Sequence, residues 1–310
     1  MALQPVRVNA QEIITAATYN SLQARIETIL GTGISRLGYG QTVESSQINT
    51  NDIVTASDIR KLKTDINKIR VHQTGSNSNL DDVDPKDLIG ADDIDGNTDK
   101  GFNAYLSIVD TCEGDVYEID ETQFTIETAT TSVRYTAWNG TPVHSFTVTF
   151  DDANHRRAFF NAGGEIHISA ELVTDNSLKG TDWATMLSAM GTIKFKRDTS
   201  AKTGAQGSVQ PVGNYDLTSS YQTIFERSGG APEYAENLYK ITAKELSQKA
   251  IQFKIQFLDL DEGDQQGVGS PEDEQVVGML ESTIKQLRPT GAAVSVDSPS
   301  YSTQTDLSSG

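Results

Sequence analysis

Four histidines, one cysteine and two knots of aspartate are the side chains in this 310-residue chain whose types and spacing could do chemistry. His72, His144, His155 and His167 are the whole histidine set, and no two of them have metal-ligand spacing such as i and i+4 on a helix. His144 and His167 alternate with apolar neighbours in strand-like segments, which points both outward from a sheet. Cys112 is the sole cysteine, so there is no internal disulfide framework, no cysteine-based metal site and no local histidine to activate the thiol. Neither a G-x-S-x-G elbow nor a glycine loop ending in Lys-Ser/Thr is present. No catalytic constellation follows from these residues, and no enzyme is expected.

The aspartates are the better candidates. Asp92, Asp93, Asp95 and Asp99 lie close together, and Asp259, Asp261, Glu262 and Asp264 follow a strong strand pattern. Calcium takes several oxygen ligands from a flexible loop, so it is the ion such clusters would suit. The EF-hand spacing fails, because with Gly96 as the required glycine the first ligand position is Ala91. A solvated acidic loop is the default, and no cofactor is expected. Arg156–Arg157 before Phe159–Phe160 has the composition of an interface hot spot. The plainer reading makes the phenylalanines core and leaves the arginines solvated or paired with Asp151 and Asp152.

The elements that must carry these residues begin with an internal repeat. Residues 8–29 align with residues 48–69 without a gap, with identities at Asn9/Asn49, Ile13/Ile53, Thr15/Thr55, Ala16/Ala56, Leu22/Leu62, Ile26/Ile66 and Ile29/Ile69. Each copy reads as a short extended arm and then a helix capped by Thr15 or Thr55, with Asp58 completing a capping box. Ala16, Tyr19, Leu22, Ile26 and Ile29 form one apolar stripe; Ala56, Ile59, Leu62, Ile66 and Ile69 form the other. Gly31 and Gly33 stop the first helix and Gly75 follows the second. A hairpin of two short helices buries little area, so the excess on Tyr19, Leu22, Ile26, Ile29, Ile59, Leu62, Ile66 and Ile69 is expected to meet other copies or a neighbouring protein.

Downstream, residues 76–116 read as an acidic linker, with eight aspartates between Asp81 and Asp99 against one lysine, Lys86. Residues 117–296 switch to alternating patterns at 141–150, 164–172, 192–198, 239–246 and 251–260, the mark of half-buried antiparallel strands. Two short helices interrupt them, one capped by Asp152 over 152–162 and one capped by Thr181 or Asp182 over 182–190. An edge strand is expected at Ala292–Val296, then a Ser/Thr-rich tail over 297–310. The fold class is mainly β with an N-terminal α module: a duplicated helical hairpin followed by an antiparallel β-sandwich-like domain with two short helices.

Lys and Arg number 25 against 43 Asp and Glu, a formal net charge of −18. That balance argues against a nucleic-acid or anionic-membrane partner. The opening MALQPVRVNA lacks a basic stretch leading into an apolar core, and no apolar run approaches the ~20 residues of a bilayer span. A soluble protein made in a cytoplasm is expected.

Several segments carry a resemblance. YNSLQARIETILGTG, LGYGQTVESSQI and VTASDIRKLKTDINKIRVHQTG are similar, in this order, to the N-terminal module of virion structural proteins of large contractile-tailed marine phages, cyanophages among them. RYTAWNGTPVHSFTVTFDDANHRRAFFNAGGEIHISAEL, DWATMLSAMGTIKF and VSVDSPSYST resemble the β-domain of that family, so the likeness covers most of the chain. It implies a non-enzymatic structural component of the virion, assembled in the host cytoplasm, placed in the neck, tail, baseplate or fibre and docked through its helical module. Its implied partners are other virion proteins and copies of itself in a homo-oligomer. The alternative is a host-recognition adhesin whose β-domain binds a surface glycan, with calcium at Asp259–Asp264 and aromatic contacts from Tyr215, Tyr221 and Tyr234.

Overall fold

A computed structural model describes residues 14–32, 36–85, 90, 101–174, 177–261 and 274–309. The chain divides into two compact units. The first comprises residues 1–125, 157–163 and 289–296; the second comprises 126–156, 164–288 and 297–310.

In the first unit, α1 (Ala16–Leu30) and α2 (Ala56–Thr74) are the two copies of the repeat. Thr15 and Thr55 cap them, and Asp58 returns the bond to the Thr55 N–H at 2.9 Å. Gly31 follows α1, and Gly75 ends α2 in the left-handed region, where a glycine carries no Cβ penalty. The hairpin does not stand alone. Residues 76–116, expected as an acidic linker, deliver a third helix, α3 (Phe102–Gly114), which packs on both α1 and α2. Its stripe of Phe102, Tyr105, Leu106, Val109 and Cys112 has helical spacing and is buried. The expected second stop of α1 at Gly33 and the arm at residues 8–13 fall outside the described residues.

Each repeat helix also clips the chain that follows it. Asn20 on α1 donates to Ile48 O and accepts from Ile48 N, both at 2.9 Å, while Gln23 reaches Ser45 O at 3.3 Å. Forty positions on, Arg60 donates to Val83 O at 2.7 Å and Lys63 meets Asp82 at 2.6 Å. Equivalent positions thus do equivalent work with different chemistry, which is why the duplication is legible on the apolar face and faint on the polar one.

The second unit is a two-sheet antiparallel structure, as the alternating segments required. One sheet has the order β1 (Phe124–Arg134), β10 (Gly278–Pro289), β3 (Glu165–Thr174), β4 (Ile193–Phe195), β5 (Ser200–Lys202). The other runs β11 (Ser300–Thr305), β2 (Val143–Thr149), β9 (Ala250–Leu258), β8 (Leu238–Ser247), β7 (Gln222–Ser228), β6 (Ser208–Val209). Along β9, Ile251, Phe253, Ile255 and Phe257 are buried while Gln252, Lys254 and Gln256 between them are half-buried. Across the sheets, Phe195 meets Phe253 edge-on with 5.2 Å between ring centroids, and within its own sheet Phe253 stacks on Phe146, its β2 partner, at 5.0 Å.

The two helices interrupting the strands are α4 (Ala153–Asn161) and α5 (Leu178–Met190). The second begins a turn earlier than its Asp182 cap signal implied. Ser177 is the N-cap, accepting from Gly180 N, while Asp182 accepts from Gly230 N and Ala231 N instead. The expected strand at Ala292–Val296 is absent; only an isolated bridge joins Thr290 to Ser295. The edge strand lies in the expected tail, where β11 pairs antiparallel with β2. Its SYSTQT sequence has no apolar alternation because neither face of the strand is buried.

Candidate functional site

The eight side chains expected at an interface between chains are all buried within this one. Tyr19, Leu22, Ile26, Ile59, Leu62, Ile66 and Ile69 show no exposure and Ile29 shows 1%. A third helix supplies the cover that two could not give each other, and each buried aliphatic contributes roughly 1.5–3 kcal/mol. Their work in this fold is core.

Around that core the first unit spends its polar groups on itself. Arg25, 4% exposed, grips Glu113 at 2.8 Å and Asp110 at 2.5 Å, tying α1 to α3. The hydrogen bond to Glu113 leads in pushing its pKa further up. Tyr39 donates to Val116 O at 2.8 Å, and Gln73 bridges Tyr39 Oη and Cys112 O. His72 is buried with Nε2 3.1 Å from Ala162 O, and burial lowers its pKa to about 4. Burial also lifts the Cys112 thiol to about 12, so it is no nucleophile. A polar cleft of about 340 Å³ lies beside Gln23, Glu27 and Ser45.

In the second unit, His144 faces inward with Phe146 and Val148 of its strand, whereas His167 points as expected to the face opposite Ile166 and Ile168 but is buried there. His144 has no exposure and sits with Nδ1 3.0 Å from the buried Ser282 Oγ on the other sheet; burial lowers its pKa to about 4. His167 holds Glu165 at 2.6 Å, which also meets Lys196 at 3.0 Å. His144 shares its parity with Phe146 and Val148, which is what takes it into the core, and His167 is buried because β3 is covered on both faces over residues 165–168. The Arg156 side chain pairs with Glu245 at 2.9 Å and donates to Asn214 rather than to the carboxylates of Asp151 or Asp152; Phe159 and Phe160, which belong to the first unit, are core.

The densest chemistry lies where α5 meets the end of β9. Lys179, on the first turn of α5, is wholly buried. Its Nζ stands 2.8 Å from Asp259 Oδ2, 3.0 Å from Asp261 Oδ1 and 2.6 Å from Glu274 O. The two aspartate side chains are themselves only 1% and 8% exposed. Burial, with Asp261 alongside, pushes the Asp259 carboxyl up to about 7. Burial pulls the same way on Asp261, but hydrogen bonds from Asp259 and Lys179 outweigh it and hold this carboxyl below the usual range. Asn237 positions the turn by accepting from Leu260 N at 2.7 Å.

This arrangement bears on the calcium expectation, since an ammonium already fills the space between Asp259 and Asp261. Glu262, Asp264 and the cluster at Asp92, Asp93, Asp95 and Asp99 fall outside the described residues. Among the described residues no group of three or more His, Cys, Asp or Glu is placed to hold a metal ion, and no helix is long and apolar enough to cross a membrane. Of the three tyrosines named for glycan contact, Tyr221 is 42% exposed with Lys244 over its ring, Tyr215 is half-buried, and Tyr234 is buried and donates to Glu274. Lys179 was the residue sequence reasoning passed over. Its only signal was a lone lysine at the start of a helix whose inner face carries Trp183, Met186 and Leu187.

Comparisons with protein-family models, curated proteins and solved structures return no match.

Proposed function

We propose that the chain is a non-enzymatic structural component of a tailed-phage virion, held among other virion proteins and copies of itself. One observation carries the reading: the ordered likeness of the helical segments at 19–33, 37–48 and 54–75 and the β segments at 134–172, 182–195 and 294–303 to virion structural proteins of contractile-tailed phages. The chemistry of the site is in keeping with it. The buried histidines and the one cysteine take part in packing, and the charged groups at the ends of elements are spent on tying those elements together. Neck, tail, baseplate and fibre are all served by such a molecule.

Mass spectrometry of gradient-purified particles tests the assignment. The chain is expected in multiple copies per particle; its confinement to the infected-cell lysate overturns the reading. The adhesin alternative keeps one supporting feature, the exposed Tyr221, and predicts binding of purified chain to host cells.

A further inference from the structure

We propose that Lys179 and Asp259 condense to an intramolecular amide, a covalent tie between α5 and the end of β9, with Asp261 as the proton acceptor. The inference concerns the second unit alone and does not depend on where the protein works.

Three conditions favour amide formation between a lysine and an aspartate, and the geometry meets each. The first is approach. Nζ is 2.8 Å from Asp259 Oδ2, and one further carbon–oxygen bond of about 1.2 Å puts Cγ within about 4 Å of the amine nitrogen. Effective molarities of held pairs at near-attack separations of about 3–3.5 Å are very large; Lys179 sits on α5, and Asp259 directly follows the last residue of β9.

The second is protonation. A carboxylate resists attack by an amine, whereas a neutral carboxylic acid accepts it. Asp259 is the carboxyl whose burial favours the neutral form, with its pKa near 7. Its Oδ1 accepts no hydrogen bond among the described residues. Asp261, 3.0 Å from the same ammonium, is placed to take the proton that Lys179 must lose; burial favours that loss, while the hydrogen bonds to Asp259 and Asp261 oppose it and hold the lysine above its usual range.

The third is exclusion of water. Lys179, Asp259 and Asp261 are buried, and the wall beside them is aromatic. Trp183 lies one turn along α5 from Lys179, with its ring 5.0 Å from Trp138 and 6.2 Å from Phe257, two residues before Asp259. In such surroundings an ion pair keeps a large desolvation cost that a neutral amide does not carry.

The step balances without an added reagent. Asp261 takes one proton from the Lys179 ammonium, and the freed amine forms a bond to Asp259 Cγ. The tetrahedral adduct then expels one Asp259 oxygen as water, carrying the acid's own proton and a second proton from nitrogen. The products are a secondary amide, one water and a neutral Asp261, which can donate a hydrogen bond to the new carbonyl. Nothing is oxidised or reduced.

The intact mass of the purified full-length chain, measured under denaturing conditions, tests this directly. Wild type is expected one water lighter than its sequence, and a tryptic digest is expected to yield a branched peptide joining the segments around Lys179 and Asp259. Lys179→Arg and Asp259→Ala are expected at full sequence mass, and this reading is independent of whether they fold. Asp261→Asn, which keeps the shape but loses the proton acceptor, is expected to accumulate the lighter species at least tenfold more slowly. Wild type at full sequence mass overturns the proposal. So does a missing water that persists in Lys179→Arg, which would place the dehydration elsewhere, for example at the Asp95–Gly96 step.

Discussion

His144 Nδ1 and Ser282 Oγ lie 3.0 Å apart, and neither side chain has any exposed surface, so a buried polar contact spans the two sheets. His144 Nε2 meets no hydrogen-bond partner among the described residues. An imidazolium there would leave a buried charge and a buried donor unmatched, which is the physical content of a pKa near 4.

Acid should therefore loosen the second unit. The unfolded histidine takes its proton near pH 6.5 and the folded one near 4, so this contribution is complete above about 6.5 and is lost between the two values. By pH 5 the loss is about 2 kcal/mol. His72, lowered by burial to about 4 as well, titrates over the same range, so total stability is the wrong readout. The difference between wild type and His144→Gln isolates His144, because every other titrating group is common to both. Urea midpoints for the two proteins are expected to converge from pH 7 to pH 5; parallel profiles would show that His144 is not the titrating group.

Gly40 should tolerate no side chain. Its φ of +75° disfavours any L residue, and a Cβ would stand 2.4 Å from the Ala158 Cβ, both within the first unit. Gly75 has nearly the same φ of +72°, but its added Cβ would meet only the Asp120 carboxylate at 3.0 Å. Gly75→Ala is expected to cost about 1 kcal/mol from the backbone alone. Gly40→Ala adds overpacking and should cost about 1–3 kcal/mol more. Equal thermal shifts for the two variants would contradict the steric account.

Asp65 offers a sharper polar test. Its carboxylate, fully buried, accepts from Glu44 N at 3.0 and 3.1 Å and from Ser45 N at 2.8 Å, pinning the connection between α1 and α2. Asp65→Asn is almost isosteric, yet it turns one acceptor into a donor that must face a backbone N–H. A loss of about 1–3 kcal/mol is expected on denaturant titration. An unchanged midpoint would mean that the N–H groups find water instead.

The apolar pattern carried most of what the sequence could say. Thr15 and Thr55 cap their helices because the cap depends on neighbours three residues away, and β9 is where its alternation placed it. What stayed hidden depends on contacts far along the chain. The α3 stripe at Phe102, Tyr105, Leu106, Val109 and Cys112 was legible in spacing but was overshadowed by the aspartates before it. Strand β11 has a polar sequence, and only its pairing with β2 makes it a strand. Lys179 and Asp259 are eighty positions apart, and no local rule links a helix start to a strand end.

Burial of Leu62 by α1, α2 and α3 together, rather than by a second chain, makes one last difference measurable. If the residue served an exposed docking seam, Leu62→Asp would impair association and leave the first unit folded. Because it is core, the substitution strands a charge with no partner and should cost several kcal/mol, enough to unfold a small helical unit. Cys112 reports the outcome. In the native chain its thiol is wholly buried with a pKa lifted to about 12, so a disulfide reagent should label it only on unfolding. Wild type is expected to resist labelling at pH 8 for hours, while Leu62→Asp should react at the rate of the urea-denatured chain. A variant that stays protected would return Leu62 to the surface and with it the docking role that its sequence spacing suggested.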